Sequence, residues 1–220
     1  MVGAQVVAKM IEDGVTANQA VLKPMPAVPK EEQARAGVYA LVGGLLAAPP
    51  SPVIFSFLEQ VDDSESTLPW QALKRVALAT DAEQFAQDYH TLFIGLGRGE
   101  LLPYGSVYLT GFLQEQPLAD LREDLARLGL ERSVEMHEPE DHAGALCEAM
   151  SLMVAAPAEY PLATQQAFFE RHLGSWMAEF FDDLVTARDS GFYRVVGEFG
   201  KAFIEMEKQY FCHSNTCICC

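Results

Sequence analysis

The run Glu138-Pro139-Glu140-Asp141-His142 sets a carboxylate beside an imidazole. Such a pair can do acid–base work. A second group, Cys212, His213, Cys217, Cys219 and Cys220, crowds four thiols and an imidazole into the last nine residues. Those are ligand types for zinc, copper(I) or an iron–sulfur centre. Their spacing matches neither a zinc knuckle nor a ferredoxin, and the adjacent Cys219 and Cys220 do not easily share one tetrahedral ion. A redox-active or disordered thiol tail is the alternative. Gly95-x-Gly97-x-Gly99 follows a helical pattern rather than a strand and lacks the Lys-Ser/Thr ending of a phosphate loop. It is not a phosphate cradle.

The elements that must position the 138–142 run can be predicted from its neighbours. Pro139 suits the first helical position, where its missing N–H is not needed. Glu140 and Asp141 then put negative charge at the positive end of the helix dipole. The helix is predicted to run from Pro139 to about Ala156 and to stop before Pro157. In such a helix His142 shares an apolar stripe with Leu146, Ala149 and Met153, and Asp141 faces the other way with Glu148. His142 is therefore expected inside and Asp141 outside. No nucleophile stands beside the pair, so the sequence favours a structural or recognition role over catalysis.

The rest of the chain reads as helix after helix. Ala34, Val38, Leu41, Val42 and Leu45 recur at helical spacing up to Pro49-Pro50. Ser51-Pro52 starts a short helix and Asp81 caps another, whose stripe is Phe85, Tyr89, Leu92 and Phe93. Residues 95–106 form a glycine-rich loop. Leu118 to Leu130 mark a helix closed by Gly129, and apolar stripes at Phe169–Phe180 and Phe192–Met206 mark the last helices. No period-2 alternation or internal repeat is present. The expected fold is all-α, a globular domain of eight or nine helices over 31–210. A leader precedes it at 1–30, a cysteine-rich tail follows at 211–220, and a hinge lies near 131–142.

With 31 acidic against 15 basic residues the formal net charge is −16. That field repels nucleic acid and anionic lipid and favours a cationic partner. No apolar run approaches the roughly 18 residues of a membrane span. Neither a secretory signal nor a disulfide framework is evident, which points to a reduced, cytoplasmic protein.

Several pieces in order carry a family resemblance. Tyr89-x-x-Leu92-Phe93-x-Gly95 is followed by Pro103, then Ser106-Val107-Tyr108, then Glu138-Pro139-x-Asp141-His142. Phe168-x-x-x-His172-Leu173-x-x-Trp176 comes last. From about Glu31 to Gln209 the chain resembles the TorD/DmsD/NarJ-like family of redox-enzyme maturation chaperones. The resemblance implies a TorD-like all-helical fold and no enzymatic activity or required cofactor. It implies a molybdenum or tungsten oxidoreductase, as apoenzyme, for a partner, together with that client's twin-arginine signal peptide. It also implies a monomer or a helix-exchanged dimer. By carry-over, Glu138, Pro139, Asp141 and His142 mark the peptide site, with Tyr89, Phe93, Pro103, Ser106 and Tyr108 shaping it. Asp141 is expected to meet the arginines and His142 to hold the hinge. Two alternatives are a nitrate-reductase-type assembly chaperone for a client that is not exported, and a metal- or sulfur-handling protein working through the tail. His172 and Trp176 are expected in the core.

Overall fold

The computed structural model describes residues 28–49, 51–60, 68–95, 99–131, 138–188 and 191–216. Ten α-helices order these residues: α1 (Lys30–Ala47), α2 (Pro52–Gln60), α3 (Leu68–Ala79), α4 (Ala82–Tyr89), α5 (Gly105–Thr110), α6 (Gln116–Leu128), α7 (Ala143–Ala155), α8 (Leu162–His172), α9 (Met177–Thr186) and α10 (Gly191–Thr216). A π-helical turn, His90–Ile94, continues α4. Among the described residues the one β-type pairing is an isolated antiparallel bridge between Tyr104 and His142. The all-α expectation holds. No helix among the described residues is long and apolar enough to cross a membrane.

Local chemistry accounts for several boundaries. The Asp81 carboxylate accepts from the Gln84 N–H and caps α4. Gly129 takes a positive φ of 70° and ends α6. Gly95 closes the π turn, its N–H bonding to the His90 carbonyl at 2.7 Å.

α1 and α7 form the most extensive helix pair. They cross where each has a glycine: a Cβ on Gly144 would lie 3.1 Å from the Gly43 carbonyl, and one on Gly43 would lie 3.1 Å from the Gly144 carbonyl. Backbone meets backbone there, and a side chain at either site would have to push the helices apart by a few tenths of an ångström. Around this crossing Tyr39, Val42, Leu45, Leu46, Cys147 and Met150 are fully buried. α9 and α10 close the other side with Phe180, Phe181, Phe192, Tyr193 and Val196.

A buried polar clamp joins α1 to the end of α10. Arg35 grips Glu207 with two bonds, Nε to Oε1 at 2.9 Å and Nη2 to Oε2 at 2.6 Å. The Tyr39 hydroxyl donates to the same carboxylate at 2.8 Å, and the Tyr210 ring lies 4.2 Å from the guanidinium carbon. α10 continues past this clamp to Thr216, and Phe211 is core, packed on Phe169. The tail was expected to begin at 211, but Cys212 and His213 are helical residues. Cys217, Cys219 and Cys220 lie outside the described residues, as do the leader up to residue 27 and connector residues 132–137.

Candidate functional site

Two segments far apart in sequence meet at the bridge. The Ala143 N–H donates to the Pro103 carbonyl at 2.8 Å, and the Gly105 N–H donates to the Asp141 carbonyl at 2.9 Å. Between these bonds Tyr104 faces His142, their rings edge to face with centroids 5.3 Å apart. α5 begins at this point, and its own N-cap residue, Tyr104, makes no side-chain cap. Asp141 supplies the cap from the other segment. Its Oδ2 accepts from the Ser106 N–H at 2.8 Å and from the Ser106 hydroxyl at 2.5 Å.

This geometry corrects the sequence reading of the 138–142 run. α7 starts at Ala143, so residues 138–142 form a turn before the helix. Asp141, expected outside, is 3% exposed. The turn frees its side chain to aim at α5, where two donors compensate its burial. His142 is buried, as expected, but as the N-cap of α7 rather than as part of its stripe. Its Nδ1 accepts from the Gly144 N–H at 3.1 Å, which puts the ring proton of the neutral form on Nε2. Burial pulls its pKa down to about 4, although the Glu138 and Asp141 charges oppose the shift.

Glu138 and Glu140 stand at the outer side of the turn. The Tyr104 hydroxyl donates to Glu138 Oε2, and Arg122 on α6 pairs with Glu140 at 2.8 Å. Glu138 also reaches Tyr89 electrostatically: burial, with that carboxylate adding to it, pushes the Tyr89 pKa up to about 12. Tyr89 and Phe93 are mainly packing residues, in ring contact with each other and with Tyr193. The Tyr108 ring stacks on Trp176 at 5.3 Å and its hydroxyl donates to Asp183 at 2.9 Å. Thus Pro103, Ser106, Glu138, Pro139, Asp141 and His142 come together as one unit, with Tyr89, Phe93 and Tyr108 around it.

Sequence reasoning missed three participants. Tyr104 forms the bridge and holds Glu138. Gly105 lies against the indole of Trp176, where a Cβ would come within 3.2 Å of Nε1. Asp124 holds His172 through Nε2 at 2.7 Å, and the His172 carbonyl accepts from the Trp176 indole. The Tyr104-Gly105-Ser106 succession at the end of the loop was the available signal, because a glycine at a helix start allows close approach.

Beneath the bridge is a cavity of about 130 Å³. Leu109, Pro117, Leu121 and Leu146 form its apolar side, and Asp120, Asp141 and Arg171 contribute polar groups. Arg171 is engaged with Asp120 at 3.1 Å and with Asp124 at 2.9 Å. Among the described residues no group of three or more His, Cys, Asp or Glu side chains could hold a metal ion. Cys147 is buried among apolar side chains, and desolvation raises its thiol pKa, the opposite of an activated nucleophile.

The described residues thus form an all-helical body with a braced two-segment turn. The family described as nitrate reductase delta subunit matches residues 59–182, more than half of the chain and inclusive of both segments. The chaperone protein TorD of Vibrio atlanticus (strain LGP32) is 28% identical over 173 residues, 71% of this chain and 80% of its own. TorD of Vibrio cholerae serotype O1 (strain ATCC 39541) is 30% identical over 148 residues, 63% of this chain and 67% of its own. TorD of Aliivibrio salmonicida is 29% identical over 150 residues, with 63% and 69% covered. The chain belongs to this family of TorD/NarJ-like redox-enzyme maturation chaperones, which are not catalysts.

Proposed function

We propose that this protein is a cytoplasmic chaperone that holds the apo catalytic subunit of a molybdenum or tungsten oxidoreductase during cofactor insertion and masks its twin-arginine signal peptide until then. The observation that carries the reading is the Asp141–Ser106 brace, which holds the 138–142 turn rigid with Glu138 at its exposed rim. An arginine-bearing segment meets Glu138 there, where a carboxylate can take a guanidinium through charge-assisted bonds. Asp141 acts as a positioning residue. Its buried carboxylate sets the turn and adds negative potential, and His142 keeps the start of α7 in place. Binding and release need no resident cofactor, and the acidic surface steers a cationic segment inward.

Calorimetry with a synthetic peptide carrying an arginine pair and an apolar stretch tests this. Glu138→Gln should weaken binding by several-fold to about tenfold, with helicity and melting midpoint unchanged. Equal affinity in the two proteins would remove Glu138 from the site, and no binding by the native chain would remove the reading.

The family description favours a second reading, an assembly chaperone for a nitrate-reductase-type client that is not exported. Co-purification of a client lacking its signal peptide supports that form. A separate role for Cys212, His213, Cys217, Cys219 and Cys220 as zinc or iron–sulfur ligands is tested by metal analysis of anaerobically purified protein with and without residues 212–220. Equal metal content in both would dismiss it.

A further inference from the structure

Beside the bridge, the end of α5 and the turn after it carry the most exposed aromatic side chain among the described residues. Phe112 is 69% exposed, with Leu109 at 43% and Leu113 at 48%. These three lie within five residues, and large apolar groups grouped in this way on a surface commonly mark a binding face. Gly111 (φ 86°) and Gln114 (φ 60°) flank Phe112 and Leu113 with left-handed backbone, and the Phe112 N–H donates across the turn to the Thr110 hydroxyl at 3.3 Å, which itself donates back into α5 to the Ser106 carbonyl. The chain is therefore held in a defined shape while it leaves its apolar side chains in solvent.

The surroundings specify what fits. Leu109 continues from this shoulder into the wall of the cavity under the bridge, alongside Leu121 and Leu146. Asp120 and Asp141 line the same cavity, and Glu115 follows the turn directly. The nearest cation in that lining, Arg171, is already engaged by Asp120 and Asp124. An apolar surface bordered by carboxylates complements an apolar segment that carries cations at one end.

We infer that the Leu109–Phe112–Leu113 shoulder receives the apolar stretch of a bound peptide whose arginines meet the 138–142 turn. The inference rests on the peptide-binding reading above and adds a second contact surface to it. The geometry is that of an apolar face laid into a groove, with an anchoring aromatic at its centre.

The test compares the native chain with Phe112→Glu/Leu113→Glu against two synthetic peptides. One carries an arginine pair followed by a Leu/Ala stretch. The other carries the same pair followed by Ser and Gly. The variant should bind the first peptide about tenfold or more weakly, bind the second as the native chain does, and melt at an unchanged temperature because both side chains are exposed. Equal affinity of variant and native chain for the first peptide would overturn the assignment. So would a change confined to oligomeric state by sedimentation, which would make the shoulder a contact between copies of this chain. Failure of the native chain to bind either peptide would instead strike the proposed function itself, so the two failures are distinguishable.

Discussion

Two buried carboxylates, Glu207 and Asp141, join distant parts of this molecule, and they are satisfied in different ways. Glu207 meets a guanidinium bidentately and a phenol, so its charge is matched inside the protein. The donors to Asp141 are the amide and hydroxyl of one serine. The first arrangement is closed and serves the fold. The second fixes a turn while leaving a negative charge at the edge of a cavity, which suits a place where a cation arrives from outside. If the proposed reading of the turn holds, burial is common to the structural acid and the functional one, and the charge of the partner is what differs between them.

The largest expected effect tests the closed member. Glu207→Ala removes the bidentate partner of the buried Arg35, leaves it only Glu32 at 2.7 Å as a carboxylate partner, and strips the Tyr39 hydroxyl of its acceptor; it should lower unfolding free energy by about 3 kcal/mol in denaturant titrations. Peptide affinity, measured where the variant is still folded, should not change. A loss under about 1 kcal/mol would mean that the clamp contributes little more than a surface pair.

Asp141→Ala tests the open member. It removes two bonds and leaves the Ser106 amide without its cap, at a cost of about 1–3 kcal/mol. It should also weaken peptide binding by loosening the turn. Asp141→Asn keeps an acceptor for Ser106 and should recover most of the stability. Affinity recovered together with stability would assign Asp141 to geometry alone. Affinity still depressed at full stability would show that its charge matters.

These distinctions explain which parts were legible in the sequence. The helices were, because apolar residues at helical spacing and caps such as Asp81 and Gly129 are local signals. That the 103–108 and 138–142 segments lie together was implied by the family resemblance, and the structure joins them at the Tyr104–His142 bridge. The sides of Asp141 and His142 depended on where α7 begins. An acidic first turn after Pro139 is a good local helix start, yet the pairing of Tyr104 with His142 competes with it and delays the helix to Ala143. Long-range bonds from Pro103 and Ser106 decided that, and no local pattern reports them. The same holds for α10: the sequence reading ended the domain at residue 210, but Phe211 packs in the core on Phe169 and the Arg35–Glu207 pair, spanning 172 positions, fixes that end of the helix to α1.

A third prediction concerns pH and separates the turn from the clamp again. The pKa of His142 in the folded chain is about 4, below the ordinary value of 6.5. Between those values the unfolded chain binds the extra proton, so stability falls as pH drops from about 6.5 to about 4 and levels off below. His172 is lowered as well, by burial first, with Asp124 opposing, and it adds loss in the same direction. His142→Asn retains a cap for the Gly144 N–H and cannot titrate. Its unfolding free energy should decline less over that interval than that of the native chain, while Glu207→Ala should keep the native slope. Parallel pH profiles for His142→Asn and the native chain would mean that the imidazole is already solvated.

The smallest effect is the most discriminating for the rim. Arg122 pairs with Glu140 at 2.8 Å, but its side chain is 54% exposed, and pairs of this kind contribute about 0.2–1 kcal/mol. Arg122→Ala should therefore leave the melting temperature almost where it was. If guanidinium groups of a client are drawn to the carboxylates of the 138–142 turn, removing this resident cation should raise peptide affinity slightly, and more so at low salt, where exposed charges are least screened. A fall in affinity would instead mean that Arg122 holds Glu140, and with it the turn, in the shape that binding requires. The turn would then depend on a surface pair as well as on its buried brace, and the contrast with the closed clamp would narrow.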